Sequence, residues 1–299
     1  MTKALVLGGG GPVGIGWEAG LTVGLARAGV VLAESDAVIG TSAGSVVGAQ
    51  LLSGEDLADV IEPVSHPGDE VAIDTDLDRL IAIVADALSG GGGEDEMRRR
   101  LGAFALDIWT VSEDAFLARF ALLKDREWPD RFACTAVDTG TGAFRVWDRE
   151  ASIDLDRAVA SSCAVPTVAA PITIGNARYM DGGVRSSLNA DLAIGHDLVL
   201  AVSCMLLELP PGFDEPILRG LVASFQAELE SLRTGGAKVE TIAPDEEFLE
   251  ISGWGLDLMD FSRVEVAFEA GIRRGSVEAE RLAAFWNTGR SQHRVGIRT

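Results

Sequence analysis

The sequence predicts an α/β protein whose mainly parallel sheet is covered by helices. Two strand–loop–helix units occur within the first 52 residues, with strands at 4–7 and 36–40 and helices at 15–28 and 45–52. Units of this spacing join neighbouring parallel strands through helices. Hydrophobic residues make up 47% of the 299 residues, which is enough for a large buried core.

Residues 1–299 are expected to form a single domain that contains one insertion. Between residues 54 and 129 the pattern changes, and helical segments at 77–90 and 94–109 alternate with breaks that contain glycine and proline. We interpret residues 54–129 as a helical insertion that caps a site.

Strand patterns return after the insertion. The segments 131–138 and 142–148 are separated by Thr-Gly-Thr, which is typical of a hairpin, and further strands are predicted at 177–183 and 197–204. The remaining part, residues 205–299, is predicted to be mostly helical, notably at 263–286.

Composition limits the function classes. The net charge is −21, and no basic stripe of the kind that binds nucleic acid is visible. The same acidity argues against electrostatic recruitment to an anionic membrane. The three cysteines, Cys134, Cys163 and Cys204, fit neither a disulfide framework nor a metal-ligand spacing. With no apolar leader and no run of membrane-spanning length, the expected location is cytoplasmic.

The first glycine-rich loop allows two interpretations. Residues 9–14 read Gly-Gly-Gly-Pro-Val-Gly between a strand and a helix, which satisfies the dinucleotide-binding pattern G-x-G-x-x-G. Glu34, twenty residues after Gly14, is the candidate ribose-binding carboxylate. It precedes the apolar part of the second strand, however, which places it at the wrong edge of the sheet. A nicotinamide- or flavin-dependent oxidoreductase remains the alternative function.

The second strand ends in Gly-Thr-Ser-Ala-Gly, residues 40–44, which matches the nucleophile-elbow pattern G-x-S-x-G. Ser42 is the candidate nucleophile, and Gly40 and Gly44 permit the sharp turn around it. Both glycine-containing loops follow neighbouring parallel strands, so they open at the same edge of the sheet. The backbone N–H groups of the first loop are then candidates for an oxyanion hole, formed by Gly9, Gly10 and Gly11.

A serine nucleophile needs a proton acceptor. His66 lies in the insertion, His196 precedes a strand at the amino edge, and His293 lies near the end of the chain, so none is well placed. Asp181 ends a strand and is followed by two glycines that let the chain turn, which places it at the same carboxyl edge of the sheet as Ser42. A buried aspartate is basic enough for this task when desolvation raises its pKa. Asp181 is therefore the candidate base.

Taken together, the segments GGGGPVG at 8–14, GTSAG at 40–44 and DGG at 181–183 resemble the motifs of the patatin-like phospholipase family. The similarity extends to 135–142, 156–184 and 189–203, and it covers some two-thirds of the chain. The resemblance implies a three-layer α/β/α fold and a dyad of Ser42 and Asp181 that needs no metal or cofactor. It also implies that the Gly9–Gly11 loop is the oxyanion hole.

The same resemblance implies that the substrate is a lipid acyl ester, hydrolysed by a phospholipase A, lysophospholipase or esterase type of reaction. Transient contact with a membrane surface is expected. The family loop usually carries arginine or lysine where this chain has Val13. From Val13 and the acidic net charge we predict a neutral or zwitterionic ester. A non-catalytic lipid-binding relative is the remaining alternative, and the sequence does not specify an oligomeric state.

Overall fold

The computed structural model describes residues 1–66, 82, 85–86, 93–108, 110–210, 212 and 215–287. Most of the helix predicted at 77–90, and His293, lie outside the described residues. The strands are β1 (Lys3–Leu7), β2 (Ala37–Gly40), β3 (Phe132–Asp138), β4 (Phe144–Trp147), β5 (Ile172–Ile174), β6 (Ala177–Asp181), β7 (Leu198–Val202) and β8 (Lys238–Ile242). The α-helices are α1 (Gly11–Arg27), α2 (Ala43–Ser53), α3 (Ile61–Ser65), α4 (Glu94–Asp107), α5 (Glu113–Leu117), α6 (Leu155–Ser162), α7 (Pro216–Thr234), α8 (Glu246–Ile251) and α9 (Val264–Trp286).

The eight strands in the described ranges form one sheet with β1 near its centre. Hydrogen-bonded pairing follows the path β5–β6–β3–β2–β1–β7–β8, and β4 also pairs with β3. β1 runs parallel to β2 and β7, and the pairs β2–β3 and β7–β8 are also parallel. β4, β5 and β6 form the antiparallel part. The predicted α/β class with a mainly parallel sheet is confirmed. The short strands β5 and β8 were not predicted.

Helices cover both faces of the sheet, which gives three layers. Leu5 and Leu7 of β1 belong to the apolar cluster that includes residues of α1, α2 and α9. Ala4 and Val6 of the same strand point the other way, into a cluster that contains Phe225, Leu229 and Leu232 of α7. Alternation along a strand explains this division, because successive side chains point to opposite faces. Among the described helices, none is both long and apolar enough to cross a bilayer.

The contact between α1 and α9 depends on glycine. Gly16, Gly20 and Gly24 recur every four residues along one side of α1. A Cβ atom on Gly20 would overlap the carbonyl oxygen of Phe268, and one on Gly24 would overlap that of Ile272. The two helix backbones therefore touch, and α1 is held firmly behind the first glycine loop.

The ends of β2 and β6 meet beside the middle of β3. β2 runs parallel to β3 and pairs Gly40 with Cys134, whereas β6 runs antiparallel and pairs Asp181 with Ala136. β4 pairs with both of these β3 residues, so it occupies the opposite edge of β3. β2 and β6 thus share one edge of β3, and their carboxyl ends face each other across Thr135. The sequence analysis placed Asp181 at the carboxyl edge of the parallel sheet. In the structure its strand arrives from the opposite direction.

Candidate active site

Ser42 lies on the tight turn between β2 and α2, where it is the residue before the first turn of α2. Its backbone angles, φ 51° and ψ −117°, are unfavourable for a residue with a side chain. A Cβ atom on Gly40 would lie 2.5 Å from the carbonyl oxygen of Gly44, and one on Gly44 would overlap the carbonyl oxygen of Leu7. The G-x-S-x-G pattern is therefore required by backbone packing that forces the serine into this conformation.

The carboxylate of Asp181, at the end of β6, lies beside the Ser42 hydroxyl. Its side chain is 4% exposed, and burial raises its pKa from 3.8 to about 7. Contact with the hydroxyl of Ser42 and with the N–H of Gly183 lowers the pKa again in part. Oδ1 accepts a hydrogen bond of 2.6 Å from Gly183, while Oδ2 completes none with the residues described here. The carboxylate keeps an oxygen free to accept a proton.

A buried polar network joins the serine turn to the loop after Asp181. The hydroxyl groups of Thr41 and Thr135 are 2.9 Å apart, and the side-chain amide of Asn189 donates to Thr41 Oγ1 at 3.0 Å. The same amide donates to the carbonyl oxygen of Ser186. These side chains fix the turn relative to the β6 end. Sequence reasoning missed them, because a single threonine or asparagine carries no distinctive pattern.

The first glycine loop lies against Ser42, because a Cβ atom on Gly9 would be 3.5 Å from the Cβ of the serine. The N–H of Gly9 is already used, since it donates to the carbonyl oxygen of Ser187 at 2.7 Å. Gly10 and Gly11, at the start of α1, have N–H groups without a hydrogen-bond partner in the described part of the chain. Of the three predicted oxyanion-hole residues, two offer free donors in this structure.

Ala43 offers a further free donor that the sequence analysis missed. It is the first residue of α2, and its N–H has no hydrogen-bond partner in the described ranges, whereas the N–H of Ser42 donates to Ser162 Oγ at 3.0 Å. N–H groups at a helix start carry partial positive charge and favour a developing anion. The residue after the serine of a nucleophile elbow is a known position for such a donor.

Glu18 lies buried beneath the glycine loop. Its Oε1 accepts the N–H of Gly8 at 3.0 Å, and Cys204 lies next to the carboxyl group. Burial raises the pKa of Glu18 well above its usual range, and the hydrogen bond from Gly8 opposes part of this rise. The sequence analysis missed Glu18. Its signal was that it is the single charged residue among residues 13–26.

An apolar pocket opens beside the serine, with a cavity volume of about 100 Å³. Its walls come from both glycine-containing turns, from the segment after α6, from the 54–129 region and from the loop before α9. The lining residues are Gly11, Pro12, Ile15, Ser42, Ala43, Val46, Pro63, Val64, Phe116, Arg119, Phe120, Cys163, Val165, Val168, Met259 and Phe261. Among the described residues of this lining, Arg119 alone carries a full charge. Part of the predicted insertion thus forms one wall of the pocket.

The other candidates from the sequence lie elsewhere. His66 is exposed after α3, and His196 precedes β7 at the amino end of the parallel strands, away from Ser42. Glu34 precedes β2 in the same way, so it cannot reach a ligand on the glycine loop. No cluster of metal-ligating side chains occurs among residues that the structure describes.

Comparison with known proteins decides the family. The model of the family described as patatin-like phospholipase matches residues 5–194, which include both glycine-containing turns and Asp181. The chain belongs to the patatin-like phospholipase family. Membership supports lipid acyl hydrolysis as the general activity, and it leaves the dinucleotide-binding alternative without support. No curated protein matches the sequence.

Two crystal structures are similar to this patatin-like protein. VipD from Legionella pneumophila shares 13% identity with a TM-score of 0.41, over 93% of this chain and 67% of VipD. The type III effector protein ExoU shares 17% identity with a TM-score of 0.35, over 93% of this chain. The chain spans only 54% of the length of ExoU.

Proposed function

We propose that this patatin-like protein hydrolyses lipid acyl esters through a dyad of Ser42 and Asp181. The observation that carries the proposal is a buried carboxylate beside a serine hydroxyl, with a pKa of about 7. A general base is most effective when its pKa lies near the working pH. An ordinary aspartate is too weak a base for this task, and burial corrects that weakness.

The proposed reaction begins when Ser42 Oγ attacks the ester carbonyl carbon while Asp181 accepts the hydroxyl proton. The tetrahedral intermediate collapses to an acyl-enzyme, and Asp181 returns the proton to the leaving alcohol. Water then attacks the acyl carbon while Asp181 accepts a proton from it. The bond between the acyl carbon and Ser42 Oγ breaks, Asp181 returns the proton to Ser42, and the fatty acid leaves. The cycle balances without a metal or cofactor.

The negative oxygen of the intermediate is proposed to be bound by the free N–H groups of Gly10 and Gly11. Ala43 supplies a third donor at the start of α2. Gly9 is assigned a different role from the one the sequence suggested, because its N–H holds the loop to Ser187. Removing a single such donor typically lowers the rate by about 10²- to 10³-fold.

The proposed substrate inserts its acyl chain into the apolar pocket beside Ser42. Contact with a lipid surface is supported by Trp254 and Leu256, whose side chains are 60% and 69% exposed. They lie on the same loop as Met259, which lines the pocket. Aromatic side chains of this kind favour the membrane–water interface. The three free cysteines support a reducing, cytoplasmic setting.

The experiment is hydrolysis of p-nitrophenyl acyl esters of graded chain length by the wild type, Ser42→Ala and Asp181→Asn. We expect both variants to lose more than about 10³-fold in kcat/KM, since each removes one half of the dyad. Wild-type kcat/KM is expected to rise as the pH rises through about 7, because Asp181 must be ionised to accept the proton.

Matched controls separate chemistry from folding. Ser53→Ala, at the far end of α2, and Asp107→Asn, on an exposed position of α4, remove the same groups away from the site. Both are expected to retain wild-type activity. Absence of turnover by the wild type, with lipid binding that survives Ser42→Ala, would instead identify a non-catalytic lipid-binding relative. Near wild-type activity of Asp181→Asn would refute the dyad.

A further inference from the structure

Arg119 places a positive charge in the pocket that contains Ser42. It lies in the 3-10 segment Ala118–Leu123, directly after α5. The guanidinium carbon is 5.3 Å from the ring centre of Phe116 and 5.8 Å from that of Phe261. Both rings also line the pocket. Cation–π contacts with two rings hold the guanidinium in place on an otherwise apolar wall.

This guanidinium has no anionic partner in the described part of the chain. Nε and Nη2 are buried without a hydrogen bond, and burial alone lowers the pKa of Arg119, with no carboxylate acting against it. Other arginines of the chain do have anionic partners: Arg157 forms an ion pair with Glu113 at 3.0 Å, and Arg263 forms one with Asp260 at 2.9 Å. The chain has 46 acidic residues, so a half-buried cation that pairs with none of those in the described ranges needs an explanation.

The missing partner is best supplied by the substrate. A guanidinium presents its N–H groups in a planar fork that matches two oxygens of a phosphate or a carboxylate. Val13, which replaces the usual loop cation of the family, is fully buried in the core, so position 13 offers no charge to the pocket. Arg119 brings a cation to the same pocket from a different part of the chain.

We propose that Arg119 is an anion-binding subsite that selects acyl esters whose alcohol portion carries a phosphate group. The inference rests on the proposed function and narrows its substrate class. The neutral ester predicted from Val13 becomes the poorer substrate, whereas a zwitterionic phosphodiester, which contains the anionic oxygens, stays within the prediction. A carboxylate on the acyl side presents the same pair of oxygens, and the experiment separates the two sources.

The experiment compares three soluble esters below their micelle-forming concentrations. They are hexanoyl-lysophosphatidylcholine, 1-hexanoylglycerol and the monohexyl ester of succinic acid, which carry a phosphate, no charge and an acyl-side carboxylate respectively. Arg119→Met is expected to lower kcat/KM for the phosphate ester about 10- to 100-fold, the range for hydrogen bonds to a charged group. The uncharged ester should change by less than about threefold, and Arg119→Lys should retain part of the preference.

Several outcomes would overturn the subsite. Equal losses on the phosphate and uncharged esters would show that Arg119 only supports the pocket. Dependence on Arg119 confined to the succinate ester would place the anion on the acyl side. Arg145→Met, which removes an exposed arginine of β4, is the matched control and should leave all three rates unchanged.

A binding measurement keeps this test separate from catalysis. Calorimetric titration with the non-hydrolysable ether analogue of the phosphate ester should give affinity that weakens about 10- to 100-fold in Arg119→Met. Binding that depends on Arg119 without any ester turnover would reject the proposed function and retain the subsite. Binding that is unaffected by Arg119→Met and Arg119→Lys, both with wild-type melting temperature, would reject the subsite.

Discussion

Replacing Asp181 with asparagine should stabilise the protein at alkaline pH while it removes activity. In the folded protein the pKa of Asp181 is about 7, against an ordinary value of 3.8. Between these two values the folded state holds a proton that the unfolded state has released. The stability contributed by Asp181 is therefore fully present below about pH 4 and is lost as the pH rises through 7. Asparagine does not titrate, so the variant is free of this loss.

The size of the effect follows from the two pKa values. They differ by about three units, and each unit corresponds to about 1.4 kcal/mol, so wild type loses about 4 kcal/mol that the variant keeps. The asparagine side chain of the variant can retain the hydrogen bond from Gly183 through its amide oxygen. The difference in free energy of unfolding between the two proteins therefore depends on pH only through the Asp181 carboxylate, because all other titrating groups are the same in both.

The assay is urea unfolding of wild type and Asp181→Asn at pH 5 and pH 8.5. The stability difference should shift by about 2.7 kcal/mol in favour of the variant at the higher pH, because about two of the three pKa units lie between pH 5 and pH 7. Asp107→Asn, which changes an exposed aspartate, should show no such shift. A difference between wild type and Asp181→Asn that is the same at both pH values would refute the buried, perturbed carboxylate on which the base assignment depends.

Four further variants test the backbone argument. Ser42→Gly should abolish hydrolysis yet raise the free energy of unfolding by about 1 kcal/mol, because glycine tolerates the unfavourable backbone angles; lower stability would contradict the strain. Gly44→Ala should lower kcat/KM about 100-fold with unchanged circular dichroism, since its methyl group overlaps Leu7 and displaces the serine; full activity would contradict the tight turn. Gly20→Ala should destabilise the α1–α9 contact by about 2 kcal/mol in chemical unfolding. Gly220→Ala, in an open position of α7, should instead stabilise by about 1 kcal/mol, and equal effects would refute the packing argument.

Much of the fold was predictable because its signals are local. The strands around 4–7 and 131–138 and the helix ending at Trp286 were found within a few residues of their bounds, since apolar runs and helical periodicity mark them. β5 has three residues and pairs along one edge of β6, so its formation depends on a partner strand that local pattern does not reveal. β8 has polar residues at three of its five positions, so no apolar run or regular alternation marks it, and it lies at the edge of the sheet beside β7.

The site was predictable where chemistry requires a residue type at a fixed spacing, as with Ser42 between two close-packed glycines. Its remaining features depend on tertiary structure. The N–H of Gly9 is not free because it donates to the carbonyl oxygen of Ser187, a residue far away in the sequence. The meeting of β2 and β6 along one edge of β3 arises from the short length of β2. The role proposed for Arg119 depends on its contacts with two aromatic rings and on the absence of a carboxylate partner among the described residues. Neither feature can be recognised in the local sequence.

The most direct test of the central claim is covalent labelling of the native protein with an alkyl fluorophosphonate, followed by peptide mass spectrometry. Wild type is predicted to carry a single adduct on Ser42, and labelling of Asp181→Asn should slow by at least about 10²-fold because the hydroxyl loses its base. An adduct on another residue, or labelling of Ser42 that proceeds equally fast without the carboxylate, would contradict the account.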